Sequence, residues 1–127
     1  MSPNTPVFTL DADPEAISSD VARFGDVMIT TQIPTRVDGS LELGDITAQS
    51  EETLRALKAA LEVAGSTMDR VLHLTIYLTD MAERPAFNAV YKRYFRTPYP
   101  VRCAVGVKDL AVPGMKVEVT AMAAPLV

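Results

Sequence analysis

Tryptophan is absent from this sequence, and cysteine and histidine occur once each, as Cys103 and His73. One cysteine cannot close an intrachain disulfide, and a single Cys with a single His does not make a metal cluster, so disulfide scaffolds and zinc-centred chemistry are excluded. Long apolar runs are missing too. Nothing approaches the ~18 residues of a membrane span, and Met1 to Thr5 is polar, with no basic segment leading into an apolar stretch. These absences predict a soluble, cytoplasmic protein with no membrane partner. Positive charge is also scarce: 12 Lys and Arg against 16 Asp and Glu leave a net charge of −4. That balance argues against a surface that tracks phosphates, so no nucleic-acid partner is expected. The one basic cluster, Lys92, Arg93 and Arg96, has helical spacing and reads as a solvated helix face.

What is present is a chain of 127 residues, 48% hydrophobic, without repeat or linker. That length suits one domain, residues 1–127, able to bury about two thirds of its unfolded surface. "GDVMITTQIP" reads as a turn at Gly25-Asp26 and a strand from Val27 to about Thr31. "DITAQSEETLRALKAALEVAG" reads as a long helix, with Asp45 as N-cap, an apolar stripe of Ile46, Leu54, Leu57, Leu61 and Ala64, and Gly65 just past its end. "DRVLHLTIYLTD" reads as a strand that turns Leu72, Leu74, Ile76 and Leu78 toward the helices and Val71, His73, Thr75 and Tyr77 away from them. A second helix follows in "PAFNAVYKRYF", with Pro85 in its first turn and Phe87, Val90, Tyr91 and Tyr94 on one face. The order of strands, helix, strand, helix and two strands predicts an α+β sandwich, one sheet with two helices on one face.

The last two strands each contain one charge in an apolar setting. Val101, Cys103, Val105 and Val107 alternate with Arg102, Ala104 and Gly106; after Pro113-Gly114, Val117, Val119, Ala121 and Ala123 alternate with Glu118, Thr120 and Met122. If the two strands pair antiparallel in an even-sum register, Arg102 and Glu118 point to the same face, with small neighbours leaving space beside them. Arg offers a planar fork matched to a carboxylate, so this pattern suits a small-acid site. It suits a plain Arg102–Glu118 ion pair equally well. The face holding His73, Thr75 and Tyr77 is too apolar for water and too polar for a core, which suits a subunit interface. His73 reads as an interface or packing residue, and Cys103 as a small buried hydrophobe.

The segments "TTQIP", "AQSEETLRALKAALEVAGSTMDRVLHLTIYLTDM", "FNAVYKRYF", "PVRCAVGV" and "KVEVTAMA" resemble, in order, the YjgF or RidA family of reactive-intermediate (enamine/imine) deaminases. The resemblance runs from about Ala22 to Ala124. It implies a chorismate-mutase-like α+β fold with one mixed sheet, a homotrimer with its sheets packed inward, and three clefts between subunits. It implies Arg102 as the carboxylate-binding residue and Glu118 as the residue that positions water, both catalytic, with the backbone of Cys103 and Ala104 holding the imine nitrogen. Thr30 and Thr31 fall on the Ser-Gly of the family's usual "SGQIP", and Asn88 on the asparagine of its second helix. Two positions depart from the pattern: Ser18 stands where a site tyrosine is usual, and Gly106 where a glutamate is usual.

The activity implied is hydrolysis of 2-imino or enamino acids to 2-oxo acids and ammonia. An imine is already electrophilic, so orientation, a placed water and a proton acceptor suffice, and no cofactor is required. Two other classes stay open. One is a non-catalytic trimer that binds small 2-imino or 2-oxo carboxylic acids or serves as a regulatory partner protein, motivated by Ser18. The other is RNA cleavage or translation inhibition, a role also attached to this family and weakened by the negative charge.

Overall fold

In the computed structural model, which describes residues 5–127, the longest helix opens at Asp45, whose Oδ1 accepts a hydrogen bond from the Ala48 N–H at 2.8 Å. This helix, α1 (Ile46–Ala64), stops where Gly65 takes φ 93°, a left-handed conformation that a side chain would strain. The Ser66 N–H then caps the Leu61 carbonyl at 2.8 Å. Leu54, Leu57 and Leu61 are fully buried, and Ala64 packs on a small second cluster of Val21, Met28 and Ala60. Buried among the leucines is Gln49, whose Nε2 donates to the Gly44 and Gly114 carbonyls while its Oε1 accepts from the Lys116 N–H. A buried amide is tolerated here because its hydrogen-bonding capacity is used. It ties the start of α1 to the loop before the last strand.

The strands are β1 (Val7–Leu10), β2 (Ser19–Phe24), β3 (Val27–Gln32), β4 (Val71–Leu78), β5 (Val101–Gly106) and β6 (Val117–Ala123), and the second helix is α2 (Arg84–Tyr94). They form one six-stranded mixed sheet in the order β1-β2-β3-β6-β4-β5. Only β4 and β5 are parallel, as the crossover through α2 requires. Leu74, Ile76, Leu78, Val117 and Val119 are fully buried against α1 and, from α2, Phe87, Val90 and Tyr91. Each such side chain contributes about 1.5–3 kcal/mol. Both helices therefore cover one face, as the element order predicts, and no helix among the described residues is long and apolar enough to cross a membrane.

Two expectations about the strands are corrected. Leu72 is half exposed and Val71 is buried, because the β4–β6 register shifts between Val71 and His73 and reverses the alternation before the irregularity. Arg102 and Glu118 do not share a face. The chain after β5 does not fold back as a hairpin; β6 inserts between β3 and β4, leaving β5 at the edge. Through β4, Arg102 lines up with Leu74 and Ala121 on the helix side, whereas Glu118 lines up with Tyr77 and Val105 on the other. That second face carries Ile29, Thr31, His73, Thr75, Tyr77, Val101, Cys103, Val105, Glu118, Thr120 and Met122, and no described element covers it. Val101 is 70% exposed there.

Candidate functional site

Arg102 lies on the edge strand with its side chain directed at α2. Its Nη2 donates to the Asn88 Oδ1 at 2.6 Å, and its Cζ stands 4.4 Å from the centre of the Tyr91 ring and 5.9 Å from that of Phe87. Helical periodicity makes this possible, since positions 87, 88 and 91 fall on neighbouring turns of one side of α2. The Tyr91 ring is itself fixed, stacked on Phe95 at 4.6 Å and lying 5.8 Å from Tyr99. The guanidinium is half-buried, yet among the described residues neither Arg102 nor Glu118 makes an ion pair. The direct Arg102–Glu118 pair is thus absent within one chain, for the plain reason that the sheet separates them. Asn88 lies beside Arg102, with its carbonyl oxygen engaged by the arginine.

Glu118 stands on the opposite, uncovered face, half-buried between β3 and β4. Burial pushes its carboxyl above the usual carboxylate range, and no neighbouring charge offsets the shift. Beside it Thr31 and Thr120 bring their Oγ1 atoms to 2.8 Å, so Thr31, Thr120 and Glu118 form one polar strip. Thr30, the next residue along, points the other way. It is buried, donates to the Asp20 carbonyl at 2.6 Å and accepts from the Gln32 Nε2 at 2.9 Å. Both threonines nevertheless line a cavity of about 490 Å³ with Ser18, which is exposed just before β2.

The expectation that Cys103 is buried is overturned. As the residue after Arg102 on the edge strand it faces the uncovered side, exposed, with its Sγ 3.9 Å from the Thr75 Oγ1. Ala104 faces the helices and packs on the core. Because β5 has a neighbour on one side only, alternate backbone groups along Val101–Gly106 are left for another partner. His73 is half-buried on the uncovered face, next to Val101 and Met122 in the ladder.

The arrangement consists of two halves on opposite sides of one sheet. One is an arginine fork held by Asn88 and aromatic rings, suited to a carboxylate; the other is a carboxyl with a raised pKa beside two hydroxyls, suited to holding and deprotonating water. Sequence reasoning missed Tyr91, which it placed in the core stripe of α2, and Thr120, which it read as a spacer. The signal for Tyr91 was its position one helical turn from Asn88. The basic cluster behaves as expected of a solvated face: Arg93 pairs with Glu51, and Arg96 with Asp69.

Comparison with known proteins gives a consistent result. A family profile described as Endoribonuclease L-PSP matches residues 13–125. Protein HMF1 of Saccharomyces cerevisiae is 36% identical over 98 residues, covering 77% of this chain and 75% of that protein. A 2-iminobutanoate/2-iminopropanoate deaminase of Dermatophagoides farinae is 30% identical over 113 residues, covering 87% and 88%. Among solved structures, RidA from the Antarctic bacterium Psychrobacter superposes with a TM-score of 0.81 at 25% identity, covering 98% of this chain and 96% of that one. Sheet order, helix placement and sequence agree across nearly the whole length, and the chain belongs to the YjgF/RidA family.

Proposed function

We propose that this protein hydrolyses reactive 2-imino and enamino acids to 2-oxo acids and ammonia in clefts between the subunits of a homotrimer, without a cofactor. The observation that carries the reading is Arg102, a half-buried guanidinium backed by Asn88 and Tyr91 and without a carboxylate partner among the described residues. Its remaining N–H groups take the substrate carboxylate as a fork, which orients the C=N bond. Glu118 accepts a proton from water as the oxygen attacks the imine carbon. The Glu118 carboxylic acid then protonates the nitrogen of the tetrahedral adduct, the C–N bond breaks as the C=O forms, and the adduct's hydroxyl proton passes to the Glu118 carboxylate and on to solvent as ammonia leaves. Backbone groups at Cys103 and Ala104 hold the nitrogen in line. A carboxyl pushed upward by burial is a stronger base once ionised than an exposed one, which suits this role near neutral pH.

Since Arg102 and Glu118 lie on opposite faces of one sheet, each cleft takes Arg102 from one subunit and Glu118 from its neighbour. The uncovered apolar face supports such an assembly, because a patch of that kind is normally covered. The test is to generate imino acids in situ with an amino-acid oxidase and trap them with semicarbazide. The protein should lower the yield of semicarbazone, and Arg102→Ala should not. Undiminished trapping across a panel of imino acids would refute the proposal.

A second reading, a trimer that binds small carboxylates without turnover, is favoured by Ser18, which leaves the cavity mouth without a ring. Such a protein would bind 2-oxo acids and leave semicarbazone yields unchanged. RNA cleavage is disfavoured by the net charge of −4 and by the pairing of Arg93 and Arg96 with acids.

A further inference from the structure

An arginine that must receive a planar ligand has to be held in a plane beforehand, because its side chain is otherwise free to adopt many rotamers. The Asn88 hydrogen bond fixes one N–H of Arg102 but leaves the guanidinium able to swing about that contact. An aromatic face lies 4.4 Å from Cζ, where it can fix the plane. We infer that Tyr91 is the positioning residue of the carboxylate receptor: its ring holds the Arg102 guanidinium flat and aimed, and so sets the preference for carboxylates over neutral ligands of the same shape. The inference rests on the deaminase reading only for the identity of the ligand.

Three observations support it. The ring is 4% exposed and locked by Phe95, itself 4% exposed, at 4.6 Å, so orientation passes from the core to the guanidinium through a rigid stack. Phe87 lies farther from the charge, at 5.9 Å, against 4.4 Å for Tyr91, so Tyr91 is the principal platform. The Tyr91 hydroxyl is buried and has no partner at hydrogen-bond distance, so what Tyr91 offers the cation is the face of its ring. Burial raises the phenol's pKa and outweighs the opposing pull of the Arg102 charge, so the phenol stays neutral beside the cation.

The stacking is electrostatic, so it depends on electron density in the ring as well as on its shape. Replacing Tyr91 by phenylalanine and then by phenylalanines carrying one, two and three ring fluorines retains the volume while draining the π face. Two quantities are read in the folded protein. The first, without ligand, is the NMR relaxation of the Arg102 Nε–H. It should match wild type in Tyr91→Phe and become progressively more mobile with fluorination, and most mobile in Tyr91→Leu. The second is the ratio of affinities for 2-oxobutanoate and 2-oxobutanamide. Tyr91→Phe should keep that ratio, while Tyr91→Leu or the trifluorinated ring should lower it about fivefold to tenfold through the acid alone. An Arg102 signal equally rigid across the fluorinated series, or equal weakening of acid and amide, would overturn the inference. If the wild type binds neither ligand, the deaminase reading fails, and the relaxation series still decides the role of Tyr91.

Discussion

Mixing two inactive variants offers the sharpest check on how the site is completed. Within one chain the sheet separates Arg102 from Glu118. Arg102→Ala destroys the fork of every cleft in its own assembly, and Glu118→Gln destroys every base. In an assembly formed from equal amounts of both, a cleft is intact when its arginine comes from a Glu118→Gln subunit and its glutamate from an Arg102→Ala neighbour. Random association in a cyclic assembly makes that about one cleft in four, so mixed assemblies should recover about a quarter of wild-type activity. The experiment is to denature the two variants together, refold them, confirm mixed oligomers by native mass spectrometry, and measure semicarbazone suppression. A control pairing Arg102→Ala with the double variant should recover nothing. Mixed oligomers that stay inactive would refute the shared cleft, and a protein that remains monomeric at micromolar concentration would refute the assembly itself.

Other outcomes follow from the same geometry. Arg102→Ala should leave a folded protein that binds no 2-oxo acid, and Arg102→Lys should restore little, since an ammonium lacks the fork; carboxylate affinity measured by calorimetry checks both. Glu118→Gln should lower turnover by about 100-fold or more while 2-oxo acid affinity changes little, and the acidic limb of the pH–rate profile, set above the ordinary carboxylate range, should disappear. Stability carries its own sign. A carboxyl whose pKa is raised on folding favours the folded state at low pH and loses that contribution as pH rises through the raised value. Glu118→Gln should therefore be at least as stable as wild type at neutral pH in urea titrations, whereas a structural ion pair would make it less stable. Ser18→Tyr should narrow the cavity of about 490 Å³ and shift the ratio of deamination rates toward small imino acids over bulky ones; an unchanged ratio would place Ser18 outside the substrate's reach.

The sequence by itself determined whatever depends on neighbours a few residues away. Asp45 and Gly65 bound α1 as expected because capping is a local hydrogen-bond problem, and the stripe of Leu54, Leu57 and Leu61 follows from helical period alone. Alternation likewise told which residues of β6 go together, Val117 with Val119 and Glu118 with Thr120. It also separated Arg102 and Ala104 from Cys103. Which way each set points was decided only in three dimensions. Pairing between distant strands has no local signature, and here β6 passes beyond β4 to lie against β3 instead of returning along β5. That one choice put Arg102 with the helices and Glu118 on the uncovered face, and it exposed Cys103. A single irregularity reversed Leu72 for the same reason, since one extra residue flips every side chain before it. The double part played by Tyr91, buried by its stripe yet in contact with a cation, also required the fold: helical periodicity assigns a residue to the core without saying which charge from another element will lie across its ring.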